Sequence, residues 1–433
     1  MAISTFAGTF QTGTGAIGTT IDITPSGCTI SGTSVIFFFY NGRTESTDTL
    51  GRASYFRGAG AAVSSTIRRA CCSQGVDANA AHDGGSRYTD AGCIVSVVLE
   101  STEDGRIDFD SWLSNGARLI VDDVMPASRT VGYWLITGLT NANIVEFIDQ
   151  AGTGNFDITS LSFQPDVGVF ISPGHDGAAP HSRNGASKMG IGFAISSTKQ
   201  AVWSGVEDEG SATADTDSYG IYGVEVVANH SASAGTTVNS RIGFVSWLSN
   251  GLRLNQIEVP STAEYNFVVA MQGGSWTVEE ILTRTDGNDI NTPSLGFTPA
   301  GVLAISAFKA EHTQDVPTVH QTMSIGAAHG TANRWAIALT DIDGAADTAI
   351  STGIEFDEIY LAISTGHALE GLMDVKTWAD PITFVMDDTD PSAKWVGLLI
   401  GGNAAVGGRT TKNTDPFPLG VFPGVSRRVA NTP

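Results

Sequence analysis

Ser111-Trp112-Leu113-Ser114-Asn115-Gly116 returns letter for letter as Ser246-Trp247-Leu248-Ser249-Asn250-Gly251, at an offset of 135 residues. Asp22-Ile23-Thr24 returns as Asp157-Ile158-Thr159 at the same offset. One offset shared by two separate segments marks duplication of a whole unit. A third, more diverged copy follows. Leu161-Ser162-Phe163-Gln164-Pro165 becomes Leu295-Gly296-Phe297-Thr298-Pro299, and Met189-Gly190-Ile191-Gly192-Phe193-Ala194 becomes Met323-Ser324-Ile325-Gly326-Ala327-Ala328. Trp378 stands as the counterpart of Trp112 and Trp247, and their recurrence argues for a core position rather than an exposed sugar-stacking platform.

A unit of this length is the size of one folding domain, far longer than a solenoid repeat. The repeats therefore predict three tandem β-sandwich, jelly-roll-like domains at 1–149, 150–283 and 284–402, each burying its own core. An extended Pro/Gly-rich arm follows at 403–433. Composition sets the class: 51 of 433 residues are Gly, and long helical-period apolar runs are missing. Short strands divided by Gly, Asn and Asp turns are the all-β pattern.

The second copy gives the strands most clearly. Segments 155–159, 167–172, 189–194, 220–227, 242–248 and 265–271 read as strands, with Asn250-Gly251 as a hairpin turn whose residues tolerate positive φ. The alternation of small and apolar residues in 189–194 suits a strand packed closely on a facing sheet. Between strands lie polar loops at 41–51, 73–90, 174–187, 207–218 and 307–322 that differ between copies. Constant strands with divergent loops are what a scaffold shows when its edges are specialised.

The net charge of −22 argues against nucleic acid and anionic membrane as partners. All four cysteines (Cys28, Cys71, Cys72, Cys93) lie in the first copy, and adjacent Cys71 and Cys72 do not form a relaxed disulfide. Reduced thiols in a protein made inside the cell are expected. The start has neither the basic nor the apolar region of a secretion signal, and no stretch approaches ~20 apolar residues.

The order Thr-Gly-Thr-Gly (12–15), Leu-x-Phe-x-Pro-x-x-Val (as at 295–302), Phe-x-Ser-Trp-Leu-Ser-Asn-Gly-x-x-Leu (244–254) and a final Tyr-x-x-x-x-Ala (265–270) resembles a β-sandwich module of bacteriophage virion proteins, many of them tail fibres. The resemblance covers 12–139 and 151–274 well and 285–402 more loosely. It implies a structural role in the virion and brings no catalytic residue with it. Tail fibres usually add an N-terminal attachment region and slender shaft segments, which this sequence is not expected to contain.

Residue patterns for chemistry are few. Gly13-Thr14-Gly15-Ala16-Ile17-Gly18 has the letters of a dinucleotide-binding loop but runs into a strand-like segment where that loop needs a helix, so it reads as a turn. The acidic clusters lack EF-hand spacing, and Asp341, Asp343 and Asp347 are the best, weak, metal-ligand candidates. His175 with His181, and His312 with His320, lack a third ligand. No cofactor and no catalytic residue are expected. In the arm, Phe417, Leu419 and Phe422 need a surface to bury against, and Arg427 and Arg428 suit an acidic one.

The expected function is that of a phage structural protein located in the virion, a capsid decoration or cement protein bound to other virion proteins, without enzymatic activity. The alternative is a tail-associated receptor-binding protein that recognises a host glycan or surface protein. Homo-oligomers on the particle stay open.

Overall fold

The computed structural model describes residues 2–52, 54–76, 84–98, 102–176, 183–184, 186–207, 215–231, 238–309, 318–345 and 349–404. Among them every regular element is a β-strand, arranged in six antiparallel sheets. Each module is a sandwich of an inner sheet and a four-stranded outer sheet. In the first, the inner order is Ser4–Gln11, Thr130–Leu139, Thr33–Tyr40, Tyr55–Ser64, Ile67–Gly75, Gly85–Thr89. The outer order is Thr20–Ile23, Gly116–Asp123, Thr102–Leu113, Ile94–Val98. The second and third modules repeat this order.

The seventh strand of every inner sheet comes from another module. Arg183–Asn184 of the second pairs with Gly85–Thr89 of the first; Thr318–Val319 of the third pairs with Thr216–Tyr222 of the second. Thr49–Arg52 of the first closes the ring on Ile350–Glu355 of the third. All three exchanged strands lie in loops that the sequence suggests are specialised edges. They are joints instead, and each covers a sheet edge that would otherwise carry unpaired backbone groups.

The inner sheets face one another, so the largest apolar cluster is shared. Phe37, Phe39 and Trp134 of the first module, Ile191, Trp203 and Phe267 of the second, and Ile325, Trp335 and Leu399 of the third belong to one core. Separate clusters fill the sandwiches, around Phe38 and Ile107, Phe170 and Phe244, and Val302 and Phe384. The picture of three independent tandem domains is therefore corrected to three sandwiches fused around a common centre. The sheets also move the boundaries. The units are 4–139, 141–272 and 275–404, because Asn141–Ile148 pairs with Glu264–Gln272 and Ser275–Leu282 with Trp395–Ala404. Divisions at 149/150 and 283/284 cut off those strands, whose sequences do not repeat. Asn403 and Ala404 likewise belong to the last strand, not to an arm. The Asn403 side chain accepts from Ile3 N at 2.7 Å and donates to Ile3 O at 2.8 Å, joining the two ends of the ring.

Two local expectations also change. Residues 220–227 are not one strand. Thr216–Tyr222 ends at Gly223 (φ 82°), and Val227–His230 begins in the other sheet. The hairpin turn is Ser249-Asn250, since Leu248 pairs with Gly251. Gly251 is required there by close approach, because a Cβ would overlap the Ile158 carbonyl oxygen.

The close packing expected of 189–194 is present. A Cβ on Gly192 would overlap the Val226 carbonyl oxygen of the facing sheet, and Gly60 and Gly326 stand in the same relation to the Cys93 and Ile359 carbonyls. Backbone cannot yield as a side chain can. Gly192→Ala is expected to cost about 2–3 kcal/mol, read as a lower denaturant midpoint at unchanged m-value.

Candidate functional site

The second module carries a polar interior where its siblings are filled differently. Four adjacent inner strands bring together Asn266 and Glu264, Ser172, Lys188, and Ser204. The outer sheet adds Asn229 and His230 from Val227–His230. Asp149 arrives on the connection that crosses from inner to outer sheet. None of these residues is more than 4 % exposed.

The contacts form a chain. Ser172 Oγ donates to Asn266 Oδ1 at 2.5 Å, and Asn266 Nδ2 donates to Asp149 Oδ1 at 3.1 Å. Asp149 Oδ2 accepts from Glu264 N at 3.2 Å. Lys188 Nζ donates to Glu264 Oε1 at 2.6 Å. Ser204 Oγ and His230 Nε2 lie 3.1 Å apart. Burial, reinforced by the nearby Glu264 carboxylate, raises Asp149 to about 7, so near neutrality the acid is divided between its protonated and ionised forms.

Comparison between modules shows how specific this is. A backbone hydrogen bond recurs three times, as Thr12 N to Arg129 O, Asp149 N to Glu264 O, and Thr283 N to Lys394 O. At this clasp the first and third modules place threonine and a base; the second places two acids. The position facing it, Lys188, is Phe56 in the first module, where the Arg129 guanidinium lies 5.7 Å from the ring centroid. Tyr40 fills the space that Ser172 leaves polar, donating to Val95 O at 2.7 Å. In the second module the cation and its partner have exchanged sides and gone inside.

The other candidate residues are dispersed. Asp341 is buried in Asn333–Asp341, whereas Asp343 sits in a turn where its Oδ1 accepts from Thr216 N at 3.2 Å and its N–H meets His320 Nδ1 at 2.9 Å. The structure thus uses Asp343 to bind the second module to the third; Asp347 lies outside the described residues. Burial, with the charges of Asp215 and Asp343, raises nearby Asp217 to about 7, and burial lowers Lys309 to about 7. Asp48, Glu355 and Asp357, from the first and third modules, converge beside another joint, and burial raises Glu355 to about 7. His175 is fully buried, and His181 and His312 lie outside the described residues. So do Phe417, Leu419, Phe422, Arg427 and Arg428.

All four cysteines are free and buried, and burial pushes Cys71 up to about 12. Trp112, Trp247 and Trp378 are partly buried against their sandwich cores. Trp112 and Trp247 donate to matching carbonyls, Val63 O at 2.8 Å and Ile195 O at 3.0 Å; Trp378 turns to Pro299 O at 3.1 Å. Their role is to tie the outer sheet to the inner one.

No protein-family model matches this chain, and a comparison with curated proteins found no match.

Proposed function

We propose that the chain is an accessory surface protein of a bacteriophage particle, a decoration or cement protein that works by binding and packing. The observation that carries this reading is the cyclic exchange of Arg183–Asn184, Thr318–Val319 and Thr49–Arg52 around one core. It makes a single chain into a ring of three like sandwiches with unlike loops. Such a body suits a place where three similar neighbours meet, and modest contacts at each module would multiply through effective concentration.

The ring also has two distinct ends. Because neighbouring strands run antiparallel, the connections after Tyr40, Asp176 and Ser306 leave at one end. The module joins near Thr140 and Gly273 lie at the other, together with Ala404. A partner can therefore be gripped at the joint end, opposite the end where Ala404 lies. Deleting 405–433 is expected to leave thermal unfolding unchanged and to weaken particle binding at least about tenfold, a loss of about 1.4 kcal/mol.

The test of the function is stoichiometry together with target. Quantitative mass spectrometry of purified particles should find hundreds of copies, and the purified protein should co-sediment with tailless shells. A handful of copies per particle, with adsorption of the purified protein to host cells, would replace this reading with tail-associated receptor binding.

A further inference from the structure

We infer that Lys188 and Glu264 are joined by an amide bond that forms within the folded second module. The inference is independent of the virion role and rests on the placement of three side chains. Lys188 Nζ lies 2.6 Å from Glu264 Oε1, with side chains only 5 % and 2 % exposed. The two residues sit on strands separated by a third, Val167–Asp176. Gly174 of that strand (φ 60°) leaves the lysine stem room to cross: a Cβ there would overlap Lys188 Cβ and lie 2.8 Å from its Cδ. The third group is Asp149, fixed by Glu264 N at 3.2 Å and Asn266 Nδ2 at 3.1 Å.

An ion pair held out of water is maintained against the cost of desolvating both ions. Passing one proton from the Lys188 ammonium to the Glu264 carboxylate leaves a neutral amine against a neutral acid, already at reacting distance. The nitrogen lone pair then attacks Glu264 Cδ. The C–N bond forms, the C–OH bond breaks, and the hydroxyl leaves with one Nζ proton as water. Lysine keeps a single N–H. No oxidant, reductant or co-reactant is consumed. Fixed orientation replaces a bimolecular encounter, and loss of water from a closed interior disfavours the reverse step. Asp149, a carboxylic acid beside Glu264, is placed to donate a proton to the departing hydroxyl and recover one from the nitrogen. The first and third modules lack the set, having Phe56 with Arg129 and Thr322 with Lys394 at the corresponding positions.

Intact mass spectrometry of the purified full chain decides the matter. The expected mass is one water below that of the sequence, and digestion should yield one branched peptide containing both Lys188 and Glu264. Lys188→Met should restore the full mass and abolish the branched peptide. Asp149→Asn should still lose water, but about 100-fold more slowly. A wild-type chain that keeps its full mass after prolonged incubation of the folded protein overturns the inference and leaves a buried salt bridge. Loss of water that persists in Lys188→Met overturns it as well, by placing the bond elsewhere. The wild-type measurement needs no variant, so a failure of either variant to fold does not protect the claim.

Discussion

Replacing Trp335 by alanine is expected to destabilise all three modules together, by about 3–5 kcal/mol. Trp335 belongs to the third module, but much of its surroundings belongs to the first. Its indole lies flat against Gly132, where a Cβ would come within 2.6 Å of the ring, and its ring centroid is 6.0 Å from that of Phe39. Its N–H donates to Tyr133 O at 3.0 Å. Trp203 repeats the arrangement at another seam, donating to Thr322 O at 2.9 Å beneath the Arg57 guanidinium of the first module. Truncation of Trp335 opens a cavity in the shared core and removes an inter-module hydrogen bond at once. Calorimetry should therefore show a single transition for the wild type, with calorimetric and van't Hoff enthalpies in agreement, and a single, lower transition for the variant. Separate transitions of which only one moves would mean that the sandwiches fold independently and that the exchanged strands do not couple them.

That coupling is the part of the architecture that repeats in sequence do not announce. The all-β class, the threefold repetition and the close sheet packing at Gly192 follow from local letters, because each is written within one copy. Exchange is written between copies. Thr49–Arg52, Arg183–Asn184 and Thr318–Val319 are two to four residues long and sit in loops with no common pattern. Their partners are far away in the chain, and nothing in a four-residue segment reveals which edge it will meet. The shared core is hidden for a related reason. An inner strand such as Val167–Asp176 is apolar on both faces, and periodicity alone cannot say whether the second face meets another sheet or another module.

The polar interior of the second module was partly legible. Differences between copies are the place to look, and at the clasp the letters do differ: Thr12 and Arg129, Asp149 and Glu264, Thr283 and Lys394. Seeing it requires an alignment of strand ends that share no sequence, which only the recurring backbone hydrogen bond supplies. Lys188 gives no sign by itself, since a lysine one residue before an apolar run reads as solvent-exposed. Gly174, which lets it cross to Glu264, reads as an ordinary loop glycine. The placement of Asp341 and Asp343 was hidden for the same reason. Asp341 and Asp343 are two residues apart and both meet Thr216 of the second module, but strand and turn use them differently: Asp341 is buried and offers its backbone carbonyl, whereas Asp343 offers its carboxylate.

Folding should be more stable at pH 4–5 than at pH 8, the reverse of the trend set by surface-paired carboxylates. Burial raises Asp149, Asp217 and Glu355 to about 7 and Glu358 to about 9. Unfolded, the same groups titrate near pH 4. The folded chain therefore binds more protons than the unfolded chain between these limits. By linkage, the stability these groups contribute is complete below about pH 4 and is lost as pH rises through about 7, and later through about 9 for Glu358. Lys309, lowered to about 7 by burial, works in the opposite sense, but only above that pH, where its contribution grows towards the ordinary lysine range. Between pH 4 and 7 His320, lowered by burial, works against the acids, a single group against several. A shift of one unit is worth about 1.4 kcal/mol, so Asp149 alone accounts for up to about 4 kcal/mol across its window. Asp149→Asn made in a Lys188→Met background, where no amide bond can form, isolates that share, because the amide oxygen still accepts from Glu264 N and the side chain cannot ionise. Denaturant unfolding at pH 8 should find this double variant more stable than the Lys188→Met parent by about 1–3 kcal/mol, with the difference gone at pH 4.5. A variant that is less stable at both values would show that Asp149 is ionised in the folded chain and that its charge is held by partners rather than resisted by burial.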